Sequence, residues 1–294
     1  MATLRDLKGR IGSVSSSEKI TGAMKMISSA KMSKATREIK RLLPFRTQLE
    51  SIIGNLLGAD AEFSSPLTAV RPVKRATIIV WGSDDGLCGA YNVNIFKQML
   101  EHIDALRSTC GSGVEIEIVP VGAKIARAAA RLAAPGIIVS PAPAGICSKS
   151  DADAIKAFTA SVRAAFESGA TDRVDVVYMH FISAGRQRLV AEQLLPVVPA
   201  KTAQADADAA PGLYILEPDA QTIFQTALPL MLLSTMQEVF SENRASEQAA
   251  RVMAMQSAND NATKLLEQLS LEYNKLRQQS ITAELLDILG GQVR

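Results

Sequence analysis

Aromatic side chains are scarce in this sequence: one Trp, four Tyr and eight Phe, 4% of the chain. A core or a base-stacking surface built mainly on rings is therefore excluded. Cysteine is also sparse. Cys88, Cys110 and Cys147 are widely spaced and form no CxxC pair, so no disulfide framework is expected. The two histidines, His102 and His180, are isolated, and without a Cys/His cluster no metal site is expected. The longest apolar runs, such as Leu228 to Leu233, are too short to cross a bilayer. The first residues lack the apolar segment and cleavage site of a signal peptide. These absences predict a soluble or peripheral protein, kept in the cytoplasm.

What is abundant is Ala, Leu, Ile and Met, with 47% hydrophobic and 21% charged residues. That mixture favours helices packed through small, flexible side chains. Both ends of the chain read as very long helices, from about residue 3 to 58 and from about 219 to 289. At about 1.5 Å per residue they would span about 85 and about 105 Å. A compact chain of this length is only about 50 Å across. At least one helix must then project from the folded body.

The first helix carries Leu4, Leu7, Ile11 and Val14 at 3-4-3 spacing. Ile20, Met24 and Ile27 continue the pattern after a phase slip through Ser15, Ser16 and Ser17. Such a narrow seam suits two helices wound together. Pro44 is expected to kink or end the helix, although Leu49, Ile52, Ile53 and Leu56 resume the pattern before an exit at Gly58. The last helix opens at Glu217-Pro218-Asp219. Its far end shows Leu266, Leu269, Tyr273 and Leu276, then Ile281, Leu285 and Ile288. The two seams can pair as an antiparallel coiled coil, with the longer C-terminal helix extending alone at its tip.

Between them, strand and helix periods alternate. Strands are expected at 76–81, 114–121, 136–140, 174–182, 188–195 and 213–216, and helices at 91–106, 123–133 and 151–166. The stretch 200–211 reads as a surface loop. This alternation predicts a parallel-rich, doubly wound sheet. The fold class is thus α/β with long helical arms. Its parts are an N-terminal coiled-coil helix (1–58), a central α/β domain (73–217) and a C-terminal coiled-coil helix (218–294).

Charge is uneven. Residues 1–41 carry ten basic side chains against Asp6, Glu18 and Glu38. A solvated helix face, an acidic protein partner and nucleic acid all fit that excess. The stretch has no aromatic residue, which argues against stacking on single strands. Ser83-Asp84-Asp85-Gly86-Leu87-Cys88-Gly89 sits where a doubly wound domain would place a phosphate loop. It has no GxGxxG or GxxxxGK[ST] pattern, and two aspartates would repel phosphate. Cys88 has no histidine near it in sequence and reads as a buried small residue rather than a nucleophile. Glu242, Glu247, Asp260, Glu267, Glu272, Glu284 and Asp287, with the Glu247–Arg251 pair, read as a surface charge ladder. Val252-Met253-Ala254-Met255 reads as core packing or as a contact surface rich in flexible methionine.

Several segments together resemble the gamma-subunit family of F-type ATP synthases. They are Lys19-Ile-Thr-Gly-Ala-Met-Lys-Met26, Ser29-Ala-Lys31, Gly86-Leu-Cys-Gly89, Glu217-Pro-Asp219, Ala245-Ser-Glu-Gln-Ala-Ala-Arg251, Ala254-Met255, Asn259-Asp-Asn-Ala262, Tyr273-Asn-Lys-Leu-Arg-Gln278 and Ile281-Thr-Ala-Glu284. The resemblance runs through almost the whole chain in the right order. It implies a rotor whose terminal helices turn inside a ring of alpha and beta subunits, and whose middle domain sits on the membrane c-ring and binds epsilon. It implies no catalytic residue, cofactor or metal in this chain. It places Arg277, Gln278, Thr282 and Glu284 against the ring loops that catch the shaft, and Met24 and Lys25 near an acidic beta-subunit segment. It adds Asp84, Asp85 and Gly86 as partner contacts, with Asp85 standing where the family usually carries a basic residue. Near the C-terminus Gly290-Gly291-Gln292 departs from the family's usual Gly-Ala. The implied location is the cytoplasmic face of a bacterial plasma membrane, peripherally. A nucleic-acid-binding coiled coil and an α/β enzyme with helical arms are the rival readings; neither accounts for paired seams at both termini.

Overall fold

The computed structural model describes residues 3–57, 64–111, 113–132, 134–143, 145–197 and 217–291. The expected strand at 213–216, the loop at 200–211, the exit at Gly58 and the residue Gln292 lie outside them. In chain order the elements are α1 (Leu4–Leu57), a 3-10 turn (Pro66–Thr68), β1 (Arg75–Trp81), α2 (Tyr91–Cys110), β2 (Glu115–Val121) and α3 (Ala123–Ala129). There follow β3 (Ile137–Val139), α4 (Ala152–Glu167), β4 (Arg173–Ser183), β5 (Arg186–Leu195) and α5 (Ala220–Gly291). Two compact units divide the chain: residues 1–30 with 251–294, and residues 31–250.

In the larger unit the sheet order is β3-β2-β1-β4-β5. The first four strands run parallel and β5 returns antiparallel beside β4. The central strand β1 alternates across the sheet, as a pleat requires. Ile79 and Trp81 join one apolar cluster with Leu49, Ile53, Ile155, Phe158, Phe166, Phe224 and Leu228. Ile78 and Val80 join the other with Ile95, Met99, Ile103, Ile116 and Ile125. The end of α1, α4 and the first part of α5 therefore cover one face, and α2 with α3 cover the other. Burial on both faces favours the apolar run Ile78–Trp81, while the buried Thr77 donates to Thr171 Oγ1 at 3.0 Å.

α1 passes through Pro44 without ending. A continuous line of less exposed positions runs through 4, 7, 11, 14, 18, 21, 25, 28, 32, 35, 39, 42, 46, 49, 53 and 56. This is an unbroken 3-4 repeat, so the expected phase slip at Ser15–Ser17 does not occur. Ile20 and Ile27, assigned to the seam on hydropathy, are instead 59% and 56% exposed. Thr21, Lys25 and Ser28 hold the seam positions there. A small or amphipathic side chain keeps the phase at these points because position on the helix, not polarity, decides which face is covered.

In the smaller unit α5 shows the same repeat at 252, 255, 259, 262, 266, 269, 273, 276 and 280. Thr21 Oγ1 donates to Asn259 Oδ1 at 3.3 Å. A Cβ on Gly22 would lie 3.4 Å from the same oxygen, an ordinary contact. Leu7 and Leu269 are buried at 4% and 3% exposure. From Ile281 to Leu289 every residue is exposed. The tip of α5 thus continues past its pairing, as the difference in helix length predicts.

Candidate partner-binding surfaces

The turn after β1 is built on close backbone approach. A Cβ on Gly82 would meet Ile125 Cγ2 at 2.6 Å, and one on Gly122 (φ +114°) would meet Ser83 O at 2.9 Å. Both positions accept only glycine at this spacing. Asp84 ties three segments together. Its Oδ1 accepts from the backbone N–H of Ala123, the first residue of α3, at 2.9 Å. Its Oδ2 accepts from Ser148 N at 2.9 Å and Ser148 Oγ at 2.7 Å. Asp85 faces outward and pairs with Lys149 at 2.8 Å, both about 60% exposed. Hydrogen bonding to Asp85 raises the Lys149 ammonium pKa above the usual lysine value. Leu87 (φ +63°) is 59% exposed, whereas Cys88 is buried at 3% and accepts from Asn92 Nδ2 at 3.4 Å. The structure therefore brings Asp84, Asp85 and Gly86 into one turn. Asp84 is engaged inside the fold, and Asp85 with Leu87 form its outward surface.

Met24 and Lys25 are half-buried in the smaller unit, Lys25 on the seam of α1. The neighbouring apolar side chains Ile20, Met26 and Ile27 are the ones turned outward, Met26 at 73% exposure. Arg277, Gln278, Thr282 and Glu284 are all exposed. Thr282 Oγ1 donates to Gln278 O at 2.8 Å, a bond back onto its own helix. These four residues share one stretch of α5, beside the exposed Ile281, Leu285, Leu286, Ile288 and Leu289.

The helix α5 is fastened to the sheet by polar bonds. Tyr91 Oη donates to Asn243 Oδ1 at 2.6 Å, and Asn243 Nδ2 donates to Gly82 O at 3.1 Å. Ser246 Oγ donates to Met179 O at 2.9 Å. His180 Nδ1 lies 2.7 Å from Glu242 Oε2. Arg46 of α1 pairs with Glu50 and Glu238. Burial opposes the Arg46 charge, but these two carboxylates outweigh it and raise its pKa. Burial is also the main cause that raises Glu242, opposed by the bond to His180. The surface-ladder reading is therefore corrected in part. Glu242, Glu247 and Arg251 are buried at 4%, 3% and 6%, while Asp260, Glu267, Glu272, Glu284 and Asp287 are exposed.

A family model described as ATP synthase matches residues 3–293. A Bacteroides fragilis protein named ATP synthase gamma chain is 38% identical over 294 residues, covering all of both chains. A Cupriavidus pinatubonensis ATP synthase gamma chain is 34% identical over 296 residues, covering 99% of each. The chain belongs to the ATP synthase gamma-chain family. The fold agrees with two solved structures. A chain of the Euglena gracilis mitochondrial ATP synthase, in an OSCP/F1/c-ring structure, matches with TM-score 0.65 at 20% identity, over 99% of this chain and 93% of that one. A chain of the Tetrahymena thermophila central stalk and c-ring matches with TM-score 0.53 at 21% identity, over 81% and 99%.

In this gamma-chain fold the Arg46–Glu238 and His180–Glu242 pairs were not singled out by sequence reasoning. Their partners are 192 and 62 residues apart, so no local spacing betrays them. One signal was present: Glu238 and Glu242 lie one turn apart on α5 next to apolar neighbours, where unpaired like charges would be costly.

Proposed function

We propose that this chain is the central-stalk rotor subunit of a proton-translocating F-type ATP synthase, coupling c-ring rotation to ATP synthesis or hydrolysis at beta-subunit sites. It holds no catalytic residue of its own. Its partners are the alpha and beta subunits of the surrounding ring, the epsilon subunit and the membrane c-ring. It works at the cytoplasmic face of a bacterial plasma membrane, attached only through the complex. Residues 1–58 and 218–294 form the shaft and 73–217 the head.

The observation that carries this reading is end-to-end similarity to ATP synthase gamma chains at 38% identity. The exposed tip at 281–289 supports it, because nine solvent-facing residues with five large apolar side chains need a partner to cover them. A ring of loops around Arg277, Gln278, Thr282 and Glu284 would do so. The basic excess of residues 1–41 suits an acidic segment of beta near Met24 and Lys25. Asp85 and Gly86 offer a further contact from the head, with Asp84 holding the turn in place.

The test is to tag this chain in its host and purify what accompanies it. An alpha/beta ring, epsilon and c subunits are expected in fixed proportion. Met24→Glu and Lys25→Glu should lower ATP-driven proton pumping while the complex still assembles. Pumping unchanged in both variants would remove these residues from the contact, and the absence of an alpha/beta ring would overturn the rotor reading.

A further inference from the structure

A cavity of about 490 Å³ opens in the larger unit, lined by α1, α5, the turn before α4 and the first residues of α4. Leu42, Ile155 and Phe240 give it an apolar lining. Four cationic side chains, Lys34, Arg41, Lys149 and Arg244, face two acidic ones, Glu38 and Asp151. Both acids are already engaged. Glu38 holds Arg244 at 3.5 Å, and Asp151 accepts from Ala154 N at 2.9 Å as the N-cap of α4. Lys149 is held by Asp85. Lys34 and Arg41, two turns apart on α1, have no ion-pair partner among the described residues.

Ser241 adds a polar group to the lining. It makes no hydrogen bond to the protein among the described residues, and its hydroxyl oxygen is not sealed in but opens on the cavity. Other hydroxyls of the long helices return to the carbonyl four residues back, as Thr36 does to Met32 and Thr226 to Thr222. A hydroxyl open to the cavity is free to donate to a ligand oxygen.

We propose that this cavity binds a phosphate-bearing small anion that also carries a flat apolar group, of nucleoside-diphosphate size. The volume lies within the range of small-molecule sites, about 300–1,000 Å³. Two free cations and a guanidinium suit a multiply charged phosphate chain. Ser241 donates to it, and Leu42, Ile155 and Phe240 cover the flat group. The inference needs only the folded chain and is independent of the rotor reading.

Trp81 makes the site readable. It is the chain's single tryptophan, and its ring centroid lies 5.6 Å from that of Phe240, a wall of the cavity. The full-length chain is titrated with ADP, and separately with pyrophosphate, adenosine and a poly-glutamate peptide. Trp81 fluorescence is followed together with equilibrium dialysis. Saturable one-to-one ADP binding with Kd below about 1 mM is expected. Lys34→Gln with Arg41→Gln should weaken it at least about tenfold without changing the melting temperature of the free protein, because both side chains are exposed. Ser241→Ala should weaken it by a smaller factor. The proposal is overturned if ADP shows no saturable binding, if the double variant binds equally well, if pyrophosphate binds as tightly as ADP, or if poly-glutamate displaces ADP and binds more tightly.

Discussion

His180 Nδ1 and Glu242 Oε2 lie 2.7 Å apart, joining β4 to α5 where the helix crosses the sheet. Glu242 is 4% exposed, and burial raises its pKa above the ordinary glutamate value of 4.5. The groups that act on it are His180 from β4, Glu238 from α5 and Arg46 from α1. Tyr178 of β4 responds to the same charges: burial, Glu192 and Glu242 all raise its pKa. A carboxyl raised on folding contributes stability below its unfolded pKa and loses it as pH rises through the folded value. Glu242→Gln removes that titration. The melting temperature of the wild type minus that of the variant should therefore fall as pH is raised from 4.5 to 7. A flat difference curve would show that Glu242 does not titrate differently in the folded state.

Arg46 is a single cation between Glu50 and Glu238. Removing it leaves two partly buried carboxylates without their counter-charge. Arg46→Met should cost about 2–3 kcal/mol by urea unfolding, less than a fully buried pair because the Arg46 side chain is 34% exposed. Adding Glu238→Gln should restore part of that loss. A double variant whose loss equals the sum of the two single losses would show that the pair is not coupled.

Much of the fold was legible, and the reasons are local. The run from Ile78 to Trp81 is apolar because β1 is covered on both faces. The length of the terminal helices could be read from seam residues such as Leu4, Leu7, Leu266 and Leu269. The phase of α1 could not be read in its middle, because hydropathy favoured Ile20 and Ile27 over Thr21 and Ser28. Those apolar residues lie outside, at 59% and 56% exposure, and the seam is polar. The burial of Glu242 was likewise hidden, since its partner His180 lies 62 positions away. Of the turn residues, Asp84 and Asp85 look alike in sequence; only the positions of Ala123 and Ser148 separate an internal brace from a surface charge.

That separation is testable. Asp84 accepts three hydrogen bonds, two of them from backbone N–H groups. Asp84→Ala should cost about 1–2 kcal/mol, as for loss of a helix cap and its companions. The Asp85–Lys149 ion pair is exposed, and Asp85→Ala should cost less than Asp84→Ala. Thermal unfolding of the two variants checks the order. Equal losses would contradict the bracing role of Asp84.

The register of α1 gives the last prediction. If the unbroken repeat is correct, Leu7 is a seam residue at 4% exposure and Ile20 and Ile27 are not. Leu7→Ala then removes buried methyl groups and should cost about 2–3 kcal/mol in the smaller unit. Ile20→Ser with Ile27→Ser removes only exposed surface and should change stability by less than about 0.5 kcal/mol. The alternative register, with a slip at Ser15–Ser17, predicts the reverse weighting: a loss of several kcal/mol for the Ile20/Ile27 variant. Amide exchange of residues 10–30 in the full-length chain distinguishes the two, since opening of the paired helices would speed exchange on both sides of Thr21 and Asn259. Because Ile20 and Ile27 are exposed, their replacement can also be tested in the assembled enzyme. Under the rotor reading, reduced coupling at unchanged stability is the expected result. It would assign these two residues to a partner surface rather than to the helix pairing.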